Sequence, residues 1–363
     1  MLALPHGGSS TPELYHGKYV AGGFASGEQG VWYEPSLSNG TLFQDAAGTI
    51  PVTNVEQPVG LMKDKSGRGN HARQTTSASR PVFSARYNLL ANTTTLTTQN
   101  VTVKAATYTF SFTGTGTVTL SGVATGTFSS GTNTFTATAG TLTFTVSGSV
   151  TNASLVTSNQ VAIPYQRVGN VSVTASDYDA DPVKFPPYLK FNGSGMHMVT
   201  GNVNFSTTSA LSVWFGCYTD NVQNYSTIAS QNLNSTYSWY AIPKSTRYDT
   251  EFARRGSGSF RYTSSAILSF PLKAVFTWQF DLSAEIEVTT QNINGIKNVL
   301  GNYIYDTGNG PLANLPIYIG QTGNNANWFS GNLHSLIIRG AATDDAHLTH
   351  TEKYIAYKTG ITL

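Results

Sequence analysis

Four groups of residues in this chain have types and spacings that could do chemistry. The first is Asp64 to Ala72, DKSGRGNHA, where two glycines, two basic side chains and a histidine could cradle a phosphate, hold a metal or turn a corner. A phosphate loop needs the spacing G-x-x-x-x-G-K-[ST] opening a helix. Here no lysine follows Gly69, and the continuation HARQTTSASRP lacks the pattern of a buried helix. The second group is SDYDADP, in which Asp177, Asp179 and Asp181 stand at alternate positions and offer hard oxygen ligands to Ca²⁺. It has no bidentate Glu at its far end and no internal glycine, so it is not an EF-hand loop. Third is AEIEVT, which sets Glu285 and Glu287 on one face of a strand, the arrangement from which a glycosidase carboxylate pair is built. The fourth group is a set of aromatic and amide-rich loops bearing Tyr237, Trp239, Tyr240, Arg254, Arg255, Asn324, Asn325 and Trp328. Such side chains stack on pyranose rings and bond their hydroxyls, so these residues are the candidate glycan contacts.

The histidines form no Ser-His-Asp arrangement legible from sequence. His71, His197, His334, His347 and His350 sit in surface or core contexts, and His6 and His16 lack a third metal ligand nearby. The chemistry must therefore be judged by the elements that carry it. Only 11% of the 363 residues are charged, and Gly, Ser, Thr and Asn stand where a helical surface would carry Lys and Glu. That composition predicts an all-β protein. A net charge of +2 with dispersed basic residues leaves no electrostatic footprint for nucleic acid or an anionic membrane. The one cysteine, Cys217, lies in the apolar run LSVWFGC and reads as a buried thiol. MLALPHGGSS has no basic n-region and its apolar run stops at Pro5, so no secretory signal and no membrane insertion are expected, and synthesis in the cytoplasm is.

Along the chain, residues 1–29 are Gly-rich and aperiodic, which predicts a flexible arm. From residue 30 to about 87, short apolar pieces separated by turn signals predict strands of a β-domain that has not yet closed. The texture then changes. Within 88–182, Tyr108, Phe110, Phe112, Val118, Leu120, Phe128, Phe135, Leu142, Phe144 and Val146 alternate with Thr or Ser, and glycines punctuate the runs at hairpin spacing. A small Thr-rich antiparallel sandwich is predicted there, with no carboxylate or histidine between Lys104 and Asp177. Pro182, Pro186 and Pro187 mark the return to the first texture, and strand-like runs continue, with Trp214 and Trp278 as core. The end of the chain predicts one helix, N-capped by Thr343, with Leu348 and Ile355 on its apolar face and Gly360 at its stop.

GVWYEPS, LFQDAAGT, QPVGLMKDKSGRGNHA, SASRPVFSARYNLL, FPPYLKFNGSG, LPIYIGQ, FSGNLHSLIIRG and TEKYIAYKTGI, in this order, resemble a family of bacteriophage virion proteins with a concanavalin-A-like, laminin-G-like jelly roll. The resemblance implies a lectin-like sandwich split into 30–87 and 183–363, with a carbohydrate-binding-module-like sandwich inserted at 88–182. It also implies that DKSGRGNHA is a tight loop between strands, with Gly67 and Gly69 at positive φ and Asp64 and Asn70 bonding local backbone. Hydrolases of this fold carry a third acidic position where this chain has Thr289. Acidic residues of the family's Ca²⁺ loops are replaced by Asn192, Gly195 and Met196, so Ca²⁺ at Asp177, Asp179 and Asp181 stays a secondary expectation and no other cofactor is expected. The implied function is a non-enzymatic virion-surface protein: a head or tail fibre or adhesin recognising host surface polysaccharide, with a capsid decoration protein or a polysaccharide hydrolase as alternatives. The expected partners are other virion proteins, through the N-terminal arm, and further copies of the chain as a trimer or, second, a dimer.

Overall fold

The computed structural model describes residues 24–38, 40–160, 163–169, 177–220, 225–231, 239–245, 251–255, 260–264, 268, 270–281, 288–297, 301–304 and 312–363. The fold is all-β: a jelly-roll sandwich interrupted by a smaller antiparallel sandwich and closed by one helix. The large sandwich stacks a nine-stranded sheet on a ten-stranded one. At the centre of the nine-stranded sheet, Ser330–Arg339 pairs along its whole length with Ala210–Thr219, and on its other side with Tyr188–Asn192 and then Gly30–Tyr33. Strands from both ends of the chain thus share one ladder, which is why the sequence before the insertion cannot close a sheet alone. Alternation sends Leu211, Val213, Phe215 and Cys217 into the core between the sheets, and a register shift that skips His334 brings Leu333 and Leu336 to the same face.

The opposite face of the nine-stranded sheet is covered twice. Towards one end lies the helix Asp345–Thr359, whose Leu348, Ile355 and Ala356 pack on Trp32, Trp214, Val275 and Ile337. Contact is close at Gly216, where an added Cβ would stand 1.8 Å from Thr359 Oγ1. The cap differs from expectation by one residue. Asp344 is the N-cap, accepting from the His347 amide at 2.9 Å, while the hydroxyl of buried Thr343 is engaged by Ser212 and Arg339. Gly360 ends the helix in the left-handed region, at φ 69°. No helix among the described residues is long and apolar enough to cross a membrane.

Towards the other end lies the inserted sandwich. Its sheets are Gly126–Phe128, Thr117–Gly122, Gly140–Ser147 and Gln99–Val103 against Gly131–Ala137, Ala106–Thr113 and Thr151–Thr157. Period-two alternation buries Tyr108, Phe110, Phe112, Val118, Leu120, Leu142 and Phe144 in a core of its own. Thr107 pairs outward with Thr136, Thr119 with Thr127, and Thr113 with Thr151, so β-branched hydroxyls stiffen both wet faces.

The DKSGRGNHA loop turns a corner and stitches the first strand down. Gly67 and Gly69 have φ of 81° and 75°. The Asp64 carboxylate accepts from the amides of Trp32, Ser66 and Asn70 and from the Ser66 hydroxyl. Asn70 departs from the expected local role: its amide donates to Gly30 O, forty residues away. Residues 1–23 of the expected arm lie outside the described residues; its last residues are tied down, with Glu28 ion-paired to Arg339 at 2.7 Å and Ala25 O bonded by Arg68.

A candidate ligand-binding cleft between the two sandwiches

Where the inserted sandwich meets the nine-stranded sheet, a cleft of about 450 Å³ opens. Its floor comes from the large sandwich, because strand alternation turns Ser84, Lys190, Tyr218 and Asn332 away from the core, with buried Tyr188, packed on Tyr87, beside them. The inserted sandwich supplies the other wall with Asn100, Thr102, Lys104, Tyr108 and Gln160. The cleft is polar but ordered. Lys104 crosses the seam to form an ion pair with Asp220, a carboxylate only 2% exposed that also accepts from Ser330 Oγ at 2.7 Å. Tyr108 bonds the backbone of Lys104 with its hydroxyl, and Tyr188 donates to Arg86 O. Glu56 accepts from the hydroxyls of Ser84 and Tyr178. Burial raises the pKa of Tyr108, Tyr188 and Tyr218 above the ordinary phenol range, so all three stay protonated donors or acceptors.

Against this satisfied background, four polar side chains of the cleft lining, Thr102, Gln160, Lys190 and Asn332, have no hydrogen-bond or ion-pair partner among the described residues. Gln160 is only 7% exposed, yet its amide opens to the cleft. Asn332 is half-buried, and Lys190 is exposed. The Gln160 amide is reached from the cleft, where a ligand hydroxyl or carboxylate can take the place of water on it. A cleft of this volume, with polar side chains on both walls, has the size of a small-molecule site.

A second cavity, of about 460 Å³, has Pro35, Leu37, Val55, Pro182, Val183 and Pro187 among its walls and His334 at its edge. His334 is 1% exposed; burial, then the nearby Lys273, hold its pKa well below the ordinary value, while Nδ1 faces Pro187 O. Burial likewise depresses Lys273 to about 8.

The structure scatters the residues singled out from sequence. Trp239 is fully buried in the large core and donates from Nε1 to Gln231 at 3.2 Å, so it cannot stack on a sugar. The cause is register: Trp239 pairs with Gln231 and Arg254, and alternation points Trp239 and Ala241 inward. Tyr240, Arg254 and Arg255 lie on neighbouring strands, but their side chains, like all of Tyr237, Glu285 and Glu287, fall outside the described residues. Asn324 and Asn325 are exposed on the loop preceding Trp328, which is half-buried and packs on His197 with ring centroids 5.5 Å apart. The three aspartates are not gathered for Ca²⁺. Asp179 is ion-paired with Arg167 at 3.1 Å, Asp181 bonds the Val183 amide and Lys184, and among the described residues no three His, Cys, Asp or Glu are grouped to hold a metal.

Sequence reading missed the cleft residues Lys104, Gln160, Lys190, Asp220 and Asn332. One signal was available. In a chain so poor in charge, Lys104 inside a Thr-rich strand region and Asp220 at the end of an apolar strand stand out, and the ion pair joins them.

No family model matches the sequence, and no curated protein matches it. Among solved structures, domain 4 of AbnA, an extracellular GH43 arabinanase from Geobacillus stearothermophilus in complex with arabinotriose, is similar at 16% identity and a TM-score of 0.37, covering 46% of this chain and 76% of that one. A GH54 α-L-arabinofuranosidase is similar at 10% identity and a TM-score of 0.43, covering 90% of this chain and 62% of that one. The binding domain of botulinum neurotoxin serotype D/C is similar at 12% identity and a TM-score of 0.33, over 47% and 43%. This chain thus spans less than two thirds of the arabinofuranosidase and of the toxin domain. Glycoside hydrolases among these neighbours correct the expectation of a non-enzyme, which is withdrawn. At such identities and TM-scores the likenesses transfer no residue and no activity.

Proposed function

We propose that the protein binds carbohydrate in the cleft between its two sandwiches. The observation that carries this reading is Gln160: a residue only 7% exposed whose side-chain amide has no partner among the described residues and opens to a cleft where Asn332 and Lys190 also lack one. Saccharides match this demand because each ring presents several hydroxyls that both donate and accept. Display on a bacteriophage particle, as a fibre or adhesin contacting host surface polysaccharide, is the finer form of the proposal. Its support is the ordered series of motifs from GVWYEPS to TEKYIAYKTGI, together with a disulfide-free β-scaffold. Assembly as a trimer through virion symmetry belongs to the same proposal.

The test is a binding screen of the purified full-length protein against bacterial surface polysaccharides, with reducing ends measured on the same samples. Saturable binding that weakens about tenfold in Gln160→Leu, the scale of one lost hydrogen bond to the ligand, and that survives Trp328→Ala supports the cleft. Binding abolished by Trp328→Ala and indifferent to Gln160→Leu would move the site to the Trp328 loop, and an absence of saturable binding would refute the reading. Release of reducing ends would add hydrolysis to recognition.

A further inference from the structure

We propose that the cleft selects an acidic saccharide, one bearing a carboxylate, and that Lys190 is the residue that selects it. The inference rests on the cleft being a saccharide site and adds the class of sugar. It follows from the charges lining the cleft, which are the cations Arg86, Lys104 and Lys190 and the anions Glu56 and Asp220.

Four of the five are accounted for internally. Asp220 is buried and neutralised by Lys104, which reaches it from the inserted sandwich. Glu56 accepts from the Ser84 and Tyr178 hydroxyls and lies in the field of Arg86. Arg86 is spent on main chain, its Nε donating to Asn88 O at 3.0 Å and its Nη2 to Leu89 O and Leu90 O at 3.2 Å each. Lys190 remains with no ion-pair partner among the described residues, and the five charged lining residues sum to one positive charge, with Asp177 acting on Arg86 from outside the lining.

The position of Lys190 removes the ordinary explanation for a lysine on a strand. Lysines guard edge strands against pairing with other chains. Lys190 is on Tyr188–Asn192, which is hydrogen-bonded on both sides, and its register partners Asn332 and Val82 are uncharged. The ammonium therefore stands over a central ladder inside the cleft, beside the open amide of Asn332. A sugar carboxylate placed beside Lys190 meets that cation and the neighbouring Asn332 amide, while the ring hydroxyls reach the remaining wall, to which Gln160 belongs.

The experiment uses the full-length protein and three probes, alginate, polygalacturonate and hyaluronan, each beside its carboxyl-reduced form, with the neutral polysaccharides of the screen as a third arm. Binding is measured by titration calorimetry at two salt concentrations for wild type, Lys190→Met and Lys190→Arg. We expect at least one acidic polymer to bind, its reduced form to bind about tenfold more weakly, and Lys190→Met to abolish that difference while Lys190→Arg retains most of it. Rising salt should weaken the acidic ligand in wild type and much less in Lys190→Met. Equal affinity for acidic and reduced forms, binding of neutral polymers only, or a preference unchanged in Lys190→Met would overturn the inference while leaving a saccharide site standing. No binding in any arm would overturn both. Lys190 is exposed and makes no internal bond among the described residues, so its replacement should leave the melting temperature unchanged, which a thermal scan of each variant checks.

Discussion

Lys273 should make the protein less stable at neutral pH than it would be without that charge. The side chain is 9% exposed, stands on Leu272–Asp281 beneath the end of the helix, and has the Tyr87 ring 5.5 Å from its ammonium as a favourable neighbour. Burial lowers its pKa from 10.5 to about 8. At 1.36 kcal/mol per pKa unit, that displacement corresponds to about 3 kcal/mol of destabilisation whenever the lysine is charged in both the folded and unfolded states, that is below about pH 8. Between pH 8 and 10.5 the unfolded chain holds the proton and the folded one does not, so stability rises with pH, and above 10.5 the penalty is gone. Lys273→Met keeps the aliphatic stem and removes the charge. It should stabilise the fold by about 2–3 kcal/mol at pH 7, reduced by whatever the cation–π attraction to Tyr87 contributes, and by little at pH 10.5. The buried tyrosines are common to both proteins and cancel, whereas His334 loses the field of Lys273 in the variant and is held below its ordinary pKa by burial alone. Urea unfolding of wild type and Lys273→Met at pH 7, 9 and 10.5 measures the difference. A variant less stable than wild type at pH 7, or a difference that does not shrink as pH rises, would refute the reasoning.

Three further outcomes follow from packing. Gly216→Val places a Cβ 1.8 Å from Thr359 Oγ1 and 3.0 Å from Ile355 Cγ2, so the C-terminal helix should be pushed off the sheet at a cost of about 3 kcal/mol or more, read as a lower urea midpoint and faster tryptic cleavage at Lys353 and Lys358. Asp64→Ala orphans the amides of Trp32, Ser66 and Asn70 and should cost about 2–4 kcal/mol, whereas Asp64→Asn keeps one acceptor oxygen and should cost less; equal midpoints for the two would count against the loop's stitching role. Burial raises the Cys217 thiol well above its ordinary pKa, so the native protein should not react with an aromatic disulfide reagent and the unfolded protein should react fully; complete labelling on mixing would show that the strand is not where the fold puts it.

The parts of this fold that could be read from sequence are those whose cause is local. Alternation from Tyr108 to Val146 needs only period two and glycines at the hairpins, and it announced the inserted sandwich. The terminal helix needed an N-capping oxygen, an apolar face and Gly360, and only the choice between Thr343 and Asp344 failed, because Ser212 and Arg339 claim the threonine hydroxyl from a distance. Trp239 failed for the opposite reason. Its neighbours in STYSWYAIP are polar, so the stretch reads as a displayed loop, but pairing on both sides fixes the register and turns the indole into the core. The cleft had no local signature: Lys104 and Asp220 are 116 residues apart, and Gln160, Lys190 and Asn332 meet only when the insertion is folded back on the sheet.

That folding back is held by two buried amides, and they explain why the cleft can exist before a ligand arrives. Gln166 Oε1 accepts from the Tyr87 and Asn88 amides, while its Nε2 donates to Ala85 O and Asp179 O. Asn88 donates to Ala153 O and Gln166 O and accepts from Leu155 N, reaching from the chain's entry into the insertion to its last strand. The chain therefore enters and leaves the inserted sandwich through one knot in which each carbonyl oxygen and amide nitrogen is committed. Swinging the insertion would break several buried hydrogen bonds at once, each worth about 1 kcal/mol net and more when left unpaired. The Lys104–Asp220 ion pair adds a latch at the far side of the cleft. With both ends held, a ligand of the proposed kind entering between the two walls would not have to order them. A Gln160 amide held open by such a frame is pre-organised for its ligand, which is the condition under which a few hydrogen bonds suffice for specific binding.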